Sequence, residues 1–315
     1  MPRTLRHYLH GLLMGSADIV PGVSGGTMAL IVGIYKDLIA AIGDGFSAVL
    51  ALARGRLSEA VRRLGDLNWA LLLPLVAGIG TAIVVGSLFI PELLERYPVQ
   101  CRALFFGLVA ASLAIPWRER HTHAGWHYAV AAVAAVAAFV LVGLPRSGDA
   151  ADPSLWRVGG TAAVAINAMI LPGVSGAFLL EVFGLYKPTL EALRGLDLPY
   201  VAAFCLGAGL GLGVAAKVLS HLLDRHHDVT MAVLVGLLAG SLRALWPWVG
   251  TVTHVGSDGV AEAVPDPSVL LAPGPGWPLA LGLAVLGFAF VTALAWVGRR
   301  RLAVAEAVPA HTEVG

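Results

Sequence analysis

The chain has 315 residues, 57% of them hydrophobic and 13% charged, with a mean hydropathy of +0.80, whereas a soluble domain carries about 25% charged residues. A soluble enzyme is excluded, and long apolar runs broken by short basic loops mark a polytopic helical membrane protein. The net charge of +1, from 21 Lys+Arg against 20 Asp+Glu, leaves no basic excess of the kind nucleic-acid binding needs.

The basic N-terminus, MPRTLRHYLHGLLMGSAD, is expected to be retained, because Asp18 interrupts its short apolar stretch and no small-residue cleavage site follows. The string DIVPGVSGGTMALIVGIYKDLI around Pro21 returns as MILPGVSGAFLLEVFGLYKPTL around Pro172, 151 positions later. In that register Ala17, Gly22, Ser24, Gly25, Gly33, Tyr35 and Lys36 meet Ala168, Gly173, Ser175, Gly176, Gly184, Tyr186 and Lys187. Further on the offset falls to 129, where LLERY at 93–97 meets LLDRH at 222–226, and Gly107, Ser112 and Trp117 meet Gly236, Ser241 and Trp246. The chain is a duplication with a shorter internal loop in its second half.

Each half opens with a segment carrying PGVSG, near 8–42 and 159–194, and continues with three plain apolar segments. These lie near 68–90, 101–117 and 127–144, then near 200–222, 230–249 and 278–298. Most plain segments match a membrane helix of about 20 residues. The motif segments, at about 35 residues, are too long for one span, and their Pro-Gly and Gly-Gly steps break a continuous helix. Each is read as a re-entrant hairpin. Lys and Arg concentrate in cytoplasmic loops. Arg3 and Arg6 precede the first hairpin and Arg54, Arg56, Arg62 and Arg63 follow it, so both of its ends face the cytoplasm. Counting six spans puts the Arg118/Arg120 loop, the Arg225 loop and the Arg299–Arg301 tail inside. The stretch from Trp246 to Trp277, with Asp258, Glu262 and Asp266 but no Lys or Arg, falls outside.

The expected fold is therefore all-α: two re-entrant hairpins plus about six transmembrane helices, arranged as an inverted repeat. Residues 1–150 form the first repeat, 151–301 the second and 302–315 a cytoplasmic tail, with both termini cytoplasmic. The loop from Gly43 to Asp66 reads as a short amphipathic surface helix or an ordinary connector. Gly207, Gly209, Gly211 and Gly213 prepare one helix for close packing. Cys101 and Cys205 lack CxxC spacing and read as small buried hydrophobes. Trp246, Trp248 and Trp277 flank spans as interfacial aromatics do.

A broken helix inside a membrane leaves N–H groups that must face protein, water or an anion. Glycines admit a phosphate, serine adds a donor, and a helix N-terminus carries about +0.5 charge. Gly22, Ser24, Gly25, Gly26, Thr27, Gly173, Ser175 and Gly176 are the candidate anion cradle. The alternative is that these steps only turn the hairpins.

Asp18 and Glu181 are carboxylates within the hairpins and candidates to carry a coupling proton. Asp18 could instead cap a helix or pair with Lys36 or an Arg, and Glu181 could form an ion pair across its hairpin. Arg243 and Lys217 are the candidate cations for a phosphate, although Lys217 could simply snorkel. Lys36 and Lys187 each end a hairpin and could be interface anchors. His121, His123, His127, His226 and His227 lie in loops; their spacing allows a metal site, but solvated loop histidines are the expectation. No metal and no cofactor is expected.

The paired strings SADIVPGVSGGTMALIVGIYKDLI and NAMILPGVSGAFLLEVFGLYKPTL resemble the signatures of the bacterial polyprenyl-phosphate (undecaprenyl-phosphate) translocase family, long catalogued as a domain of unknown function. The resemblance runs from Leu9 to about Val297. It implies a flippase in the bacterial cytoplasmic membrane. Its lipid would be undecaprenyl phosphate or a similar polyprenyl phosphate, moved from the outer to the cytoplasmic leaflet to recycle the carrier of cell-wall synthesis. The implied partners are that lipid and the bilayer; protons, as a candidate coupling ion, rest on Asp18 and Glu181. Ala177 and Phe178 replace Gly26 and Thr27, so the second copy is expected to offer fewer donors. Composition and spacing alone leave open a transporter of a small soluble anion. A lipid-phosphate phosphatase is disfavoured, because its PSGH string and Arg/His/Asp constellation are absent, and no enzymatic activity is expected.

Overall fold

The computed structural model describes residues 2–19, 24–86, 88–122, 124–144, 153–173, 175–255 and 261–307. The first copy of the duplication runs α1 (Arg3–Ile19), α2 (Gly25–Ile31), α3 (Tyr35–Ala53), α4 (Leu57–Gly65), α5 (Trp69–Gly86), α6 (Ile90–Arg96), α7 (Pro98–Ser112), α8 (Ala114–Arg118) and α9 (Trp126–Val142). The second runs α10 (Leu155–Ile170), α11 (Gly176–Val182), α12 (Tyr186–Arg194), α13 (Leu198–Arg225), α14 (His227–Ser241), a 3₁₀ turn (Leu242–Leu245), strands β1 (Val249–Val255) and β2 (Ala261–Leu270), and α15 (Trp277–Ala307).

Among the described residues, five stretches are long and apolar enough to cross a membrane: Trp69–Gly86, Pro98–Arg118, Leu198–Arg225, His227–Leu245 and Trp277–Trp296. The sixth expected span is α9. Its 17 residues extend about 25 Å, short of a hydrocarbon core of about 30 Å. Outward faces present Leu73 and Val76 on α5, Val133 and Val136 on α9, Leu206 and Leu210 on α13, and Val285 on α15. Such surfaces suit lipid rather than water.

Two elements depart from expectation. The stretch after Trp246 is not plain loop: β1 and β2 pair antiparallel, with Gly250 opposite Asp266 and Val252 opposite Val264. The Val/Thr-rich VGTVTHV favours a strand, and Pro265 and Pro267 bar a helix in β2. The first motif segment also runs past residue 42, because α3 continues to Ala53 and the amphipathic α4 follows. Its counterpart α12 stops at Arg194, and α13 starts at Leu198. The drop in repeat offset from 151 to 129 is this missing extension of α3 together with α4.

The two copies share their local architecture. Ser24 caps α2 and Ser175 caps α11, both from extended backbone, and the two helices end at Gly33 and Gly184 with φ of 77° and 68°. In both copies a serine turns back on its own helix: the Ser112 hydroxyl donates to Val109 O and the Ser241 hydroxyl to Leu238 O. Cys101 Sγ approaches Leu93 O as Thr230 Oγ1 approaches Leu222 O, so this buried cysteine does a threonine's work. Cys205, by contrast, is exposed on α13 rather than buried as expected.

Helix pairing follows the same register. α1 packs on α5 as α10 packs on α13, while α7 packs on α15 as α14 packs on α9. Each copy's final helix therefore lies against the other copy. Glycines permit the close approach: a Cβ at Gly207 would strike the backbone of Gly159 and one at Gly211 that of Ala163, while Gly107 and Gly236 sit against Ala284 and Ala131. The main core gathers Tyr35 and Ile39, Leu219 and Leu223, and Leu234 and Leu238, from α3, α13 and α14.

Candidate functional site

The candidate site lies where the two motif segments meet. A helix leaves its last four carbonyls without intrahelical partners. At the end of α10 those carbonyls are served by the other copy: the Ser24 hydroxyl donates to Met169 O at 3.0 Å and the Tyr35 hydroxyl to Ile170 O at 3.0 Å. Beyond the helix, Gly173 N donates to Thr27 Oγ1 at 3.0 Å. Ser24 (2% exposed), Thr27 (1%) and Tyr35 (2%) are buried; the Tyr35 and Thr27 bonds form out of contact with solvent, and the Ser24 bond lies at the edge of a cavity. Side chains of the first motif thus latch the second in place.

The start of α2 is closed from within its own copy. Ser24 Oγ accepts from Gly26 N at 3.1 Å and Asp18 Oδ1 accepts from Gly25 N at 2.7 Å. A Cβ at Gly25 would lie 2.6 Å from Asp18 Oδ2, and one at Gly26 2.8 Å from Ile170 O, so both positions require glycine. Asp18 is a capping carboxylate here, one of the two alternatives open from the sequence.

The second copy is arranged differently. Met169 stands in the position of Asp18, and a Cβ at Gly176 would meet its Cγ at 2.6 Å. Ser175 Oγ accepts from Phe178 N over 3.4 Å, and among the described residues its hydroxyl proton has no acceptor. Gly176 N and Ala177 N likewise have no described partner.

A cavity of about 200 Å³ opens beside these groups, lined by Asp18, Ser24, Ser175, Gly176 and Ala177 and by an apolar wall that includes Ile166, Met169 and Phe204. Among the described residues, the donors left open beside this cavity are those of the second motif. Thr27, Ser24 and Gly25 use their polar groups on protein.

The remaining candidates are dispersed. Gly22 lies outside the described residues, and Gly173, with φ 92°, packs against Ser241. Arg243 donates to the carbonyls of Pro267, Ser268 and Phe139 and stacks on the Phe139 ring, which ties β2 to α9. Lys217 is exposed on α13, its Nζ 5.7 Å from the Phe46 ring centroid. Glu181 is half-buried on α11, one residue past the cavity-lining Leu180. Among the described residues lining the cavity there is no Lys, Arg or His. Lys36 belongs to a separate cavity of about 340 Å³, with Tyr35, Asp37, Glu119, His121 and His227.

The loop histidines are not uniformly solvated. His127 is 2% exposed on α9, its Nδ1 3.3 Å from Nη1 of the buried Arg120, whose guanidinium stacks on Trp117. His121 and His227 come together with Asp228, and His123 lies outside the described residues. Nothing in the sequence around Tyr35 marks it as a latch. Its match to Tyr186 was the available signal.

A family model described as undecaprenyl phosphate translocase-like matches residues 14–261. The chain is 37% identical over 266 residues to a polyprenyl-phosphate transporter of Vibrio cholerae, covering 83% of each chain. It is 29% identical over 262 residues to a polyprenyl-phosphate transporter of Staphylococcus aureus, covering 77% of this chain and 86% of that protein. No solved structure matches.

Proposed function

Because this chain belongs to the undecaprenyl phosphate translocase-like family, we propose that it transports a polyprenyl phosphate, undecaprenyl phosphate or a close equivalent, across a bacterial cytoplasmic membrane. The direction is from the outer to the cytoplasmic leaflet, returning the carrier lipid for cell-wall synthesis. The observation that carries the reading is the cavity between the two motif segments, where Ser175, Gly176 and Ala177 offer donors beside an apolar wall. A phosphate head group bound there is held by amide and hydroxyl dipoles at a helix start.

The tail has no need to leave hydrocarbon. At about 0.8 kcal/mol per buried CH₂, a long prenyl chain stays in the bilayer while only the head group crosses. An apolar groove of about 200 Å³ borders the first motif and is lined by Met28, Ile31, Phe105 and Phe290 among others, which suits a prenyl chain. We read the duplication, 1–150 and 151–301, as an inverted repeat with two re-entrant segments and cytoplasmic termini. The matched helix pairing and the charge of the loops support this. Asp18 and Glu181 are the candidates for proton coupling, and Asp18 sits in the cavity wall.

Leaflet-resolved transport of labelled polyprenyl phosphate in proteoliposomes, with and without a proton gradient, tests the reading. Lipid movement without phosphate release is expected. Uptake of inorganic phosphate without lipid movement would make the protein a transporter of a small soluble anion, and phosphate release would make it a phosphatase.

A further inference from the structure

The loop before α9 and the junction of α13 with α14 bring together three metal-ligating side chains outside the cavity between the two motif segments. We propose that His121, His227 and Asp228 form a binding site for a divalent transition-metal ion of zinc-like preference. One ligand atom from each lies within 4.8 Å of the others, and the imidazole rings are 4.6 Å apart. Four-coordinate zinc with bonds of about 2.0–2.1 Å sets its ligands about 3.3 Å apart, so closure needs a contraction of about 1.5 Å. His121 is exposed and can swing to supply it.

The surrounding hydrogen bonds orient the donors. His227 Nε2 lies 3.0 Å from Glu119 O. A carbonyl only accepts, so Nε2 carries the proton and Nδ1 presents its lone pair. A metal-bound histidine is held in the same way, its second nitrogen donating to a carbonyl. Asp228 is fixed as a carboxylate: Oδ1 accepts from His121 N and Oδ2 from Thr122 N, both at 2.8 Å, and Thr122 Oγ1 donates as well. A carboxylate has about four lone-pair positions, so one remains for a ligand bond. His121 Nδ1 lies 3.4 Å from Asp228 Oδ1, about the separation of two ligand atoms on one zinc.

Charge selects a cation over an anion here. Glu119 and Asp37 line the adjoining cavity of about 340 Å³ against one ammonium, Lys36, and Asp228 adds a third carboxylate beside it. With neutral imidazoles the local sum is negative. The cavity also has room for the water that completes four-coordination. Two imidazoles and one carboxylate favour zinc, cobalt or nickel over magnesium or calcium, which prefer all-oxygen shells. A bound ion would join the loop at residues 119–122 to α14, segments about 106 residues apart in the chain, beside the cavity that Lys36 at the start of α3 also lines.

The test uses the full chain carrying an affinity tag without histidine, stripped with chelator and titrated with Co²⁺. One equivalent should bind with visible ligand-field bands of a four-coordinate site, and Zn²⁺ should displace it. His121→Ala, a surface change, and His227→Gln, which keeps a donor for Glu119 O, should each weaken Co²⁺ binding by about tenfold or more. His226→Ala should leave it unchanged. Absence of saturable binding in the parent overturns the proposal. So does equal binding in the His121→Ala/His227→Gln double variant, which would mean adventitious metal only.

Discussion

Replacing one motif serine at a time should separate folding from head-group binding. Ser24 is 2% exposed and its hydroxyl makes two bonds, to Met169 O and from Gly26 N. Ser24→Ala removes a helix cap worth about 1 kcal/mol and strands a carbonyl at the end of α10 for a further 1–3 kcal/mol or so. The expected loss is about 2–4 kcal/mol of stability. Ser175→Ala removes only a 3.4 Å cap bond to Phe178 N, at well under about 1 kcal/mol. If the Ser175 hydroxyl donates to the substrate phosphate, its removal forfeits about 1.5–3 kcal/mol of a charge-assisted bond, or about ten- to hundred-fold in affinity. Thermal unfolding in detergent, followed by tryptophan fluorescence, reads the first effect, and titration with a short-chain polyprenyl phosphate reads the second. A Ser24→Ala protein that melts like the parent would refute the latch. A Ser175→Ala protein that binds like the parent would move the head-group site elsewhere.

Gly207→Ala, whose Cβ would strike the Gly159 backbone, should lower the melting temperature through overpacking of about 1–3 kcal/mol. Gly209→Ala, which has open space, should be neutral or slightly stabilising, and equal effects would deny the close α10–α13 contact. Asp18→Asn keeps an acceptor for Gly25 N, so it should preserve the fold yet abolish the response of transport to a proton gradient, as should Glu181→Gln. If both variants respond like the parent, these carboxylates are structural. In a background lacking Cys205, Ser58→Cys should label from the cytoplasm and Leu271→Cys, in the stretch that also holds Ser257 (outside the described residues), from the exterior. Same-side labelling would refute the inverted arrangement.

The duplicated strings revealed the backbone plan because glycine, proline and serine act locally: the Ser24 and Ser175 caps and the Gly33 and Gly184 turns are properties of a few adjacent residues. Hydropathy located the spans for a similar reason, since a 20-residue apolar stretch has few other homes. The site's wiring was less legible. Tyr35 and Ile170 are 135 positions apart and Thr27 and Gly173 146 apart, and nothing in either string says which copy donates. Arg243 reads from the sequence as a cation within an apolar segment, but β2 and α9 carry carbonyls to it. His121 and Asp228 likewise meet only through tertiary packing.

The exchange of final helices between the copies has a consequence for biogenesis. As the chain emerges from the ribosome, α1 and α5 can pair early, but α7 must wait for α15 and α9 for α14. The face of α7 around Gly107 therefore stays lipid-solvated until translation is nearly complete, and the first copy has no finished form of its own. A gene cut between Leu144 and Pro153 would yield two polypeptides, each with one intact helix pair and two unpaired helices, whose maturation would depend on finding each other in the bilayer.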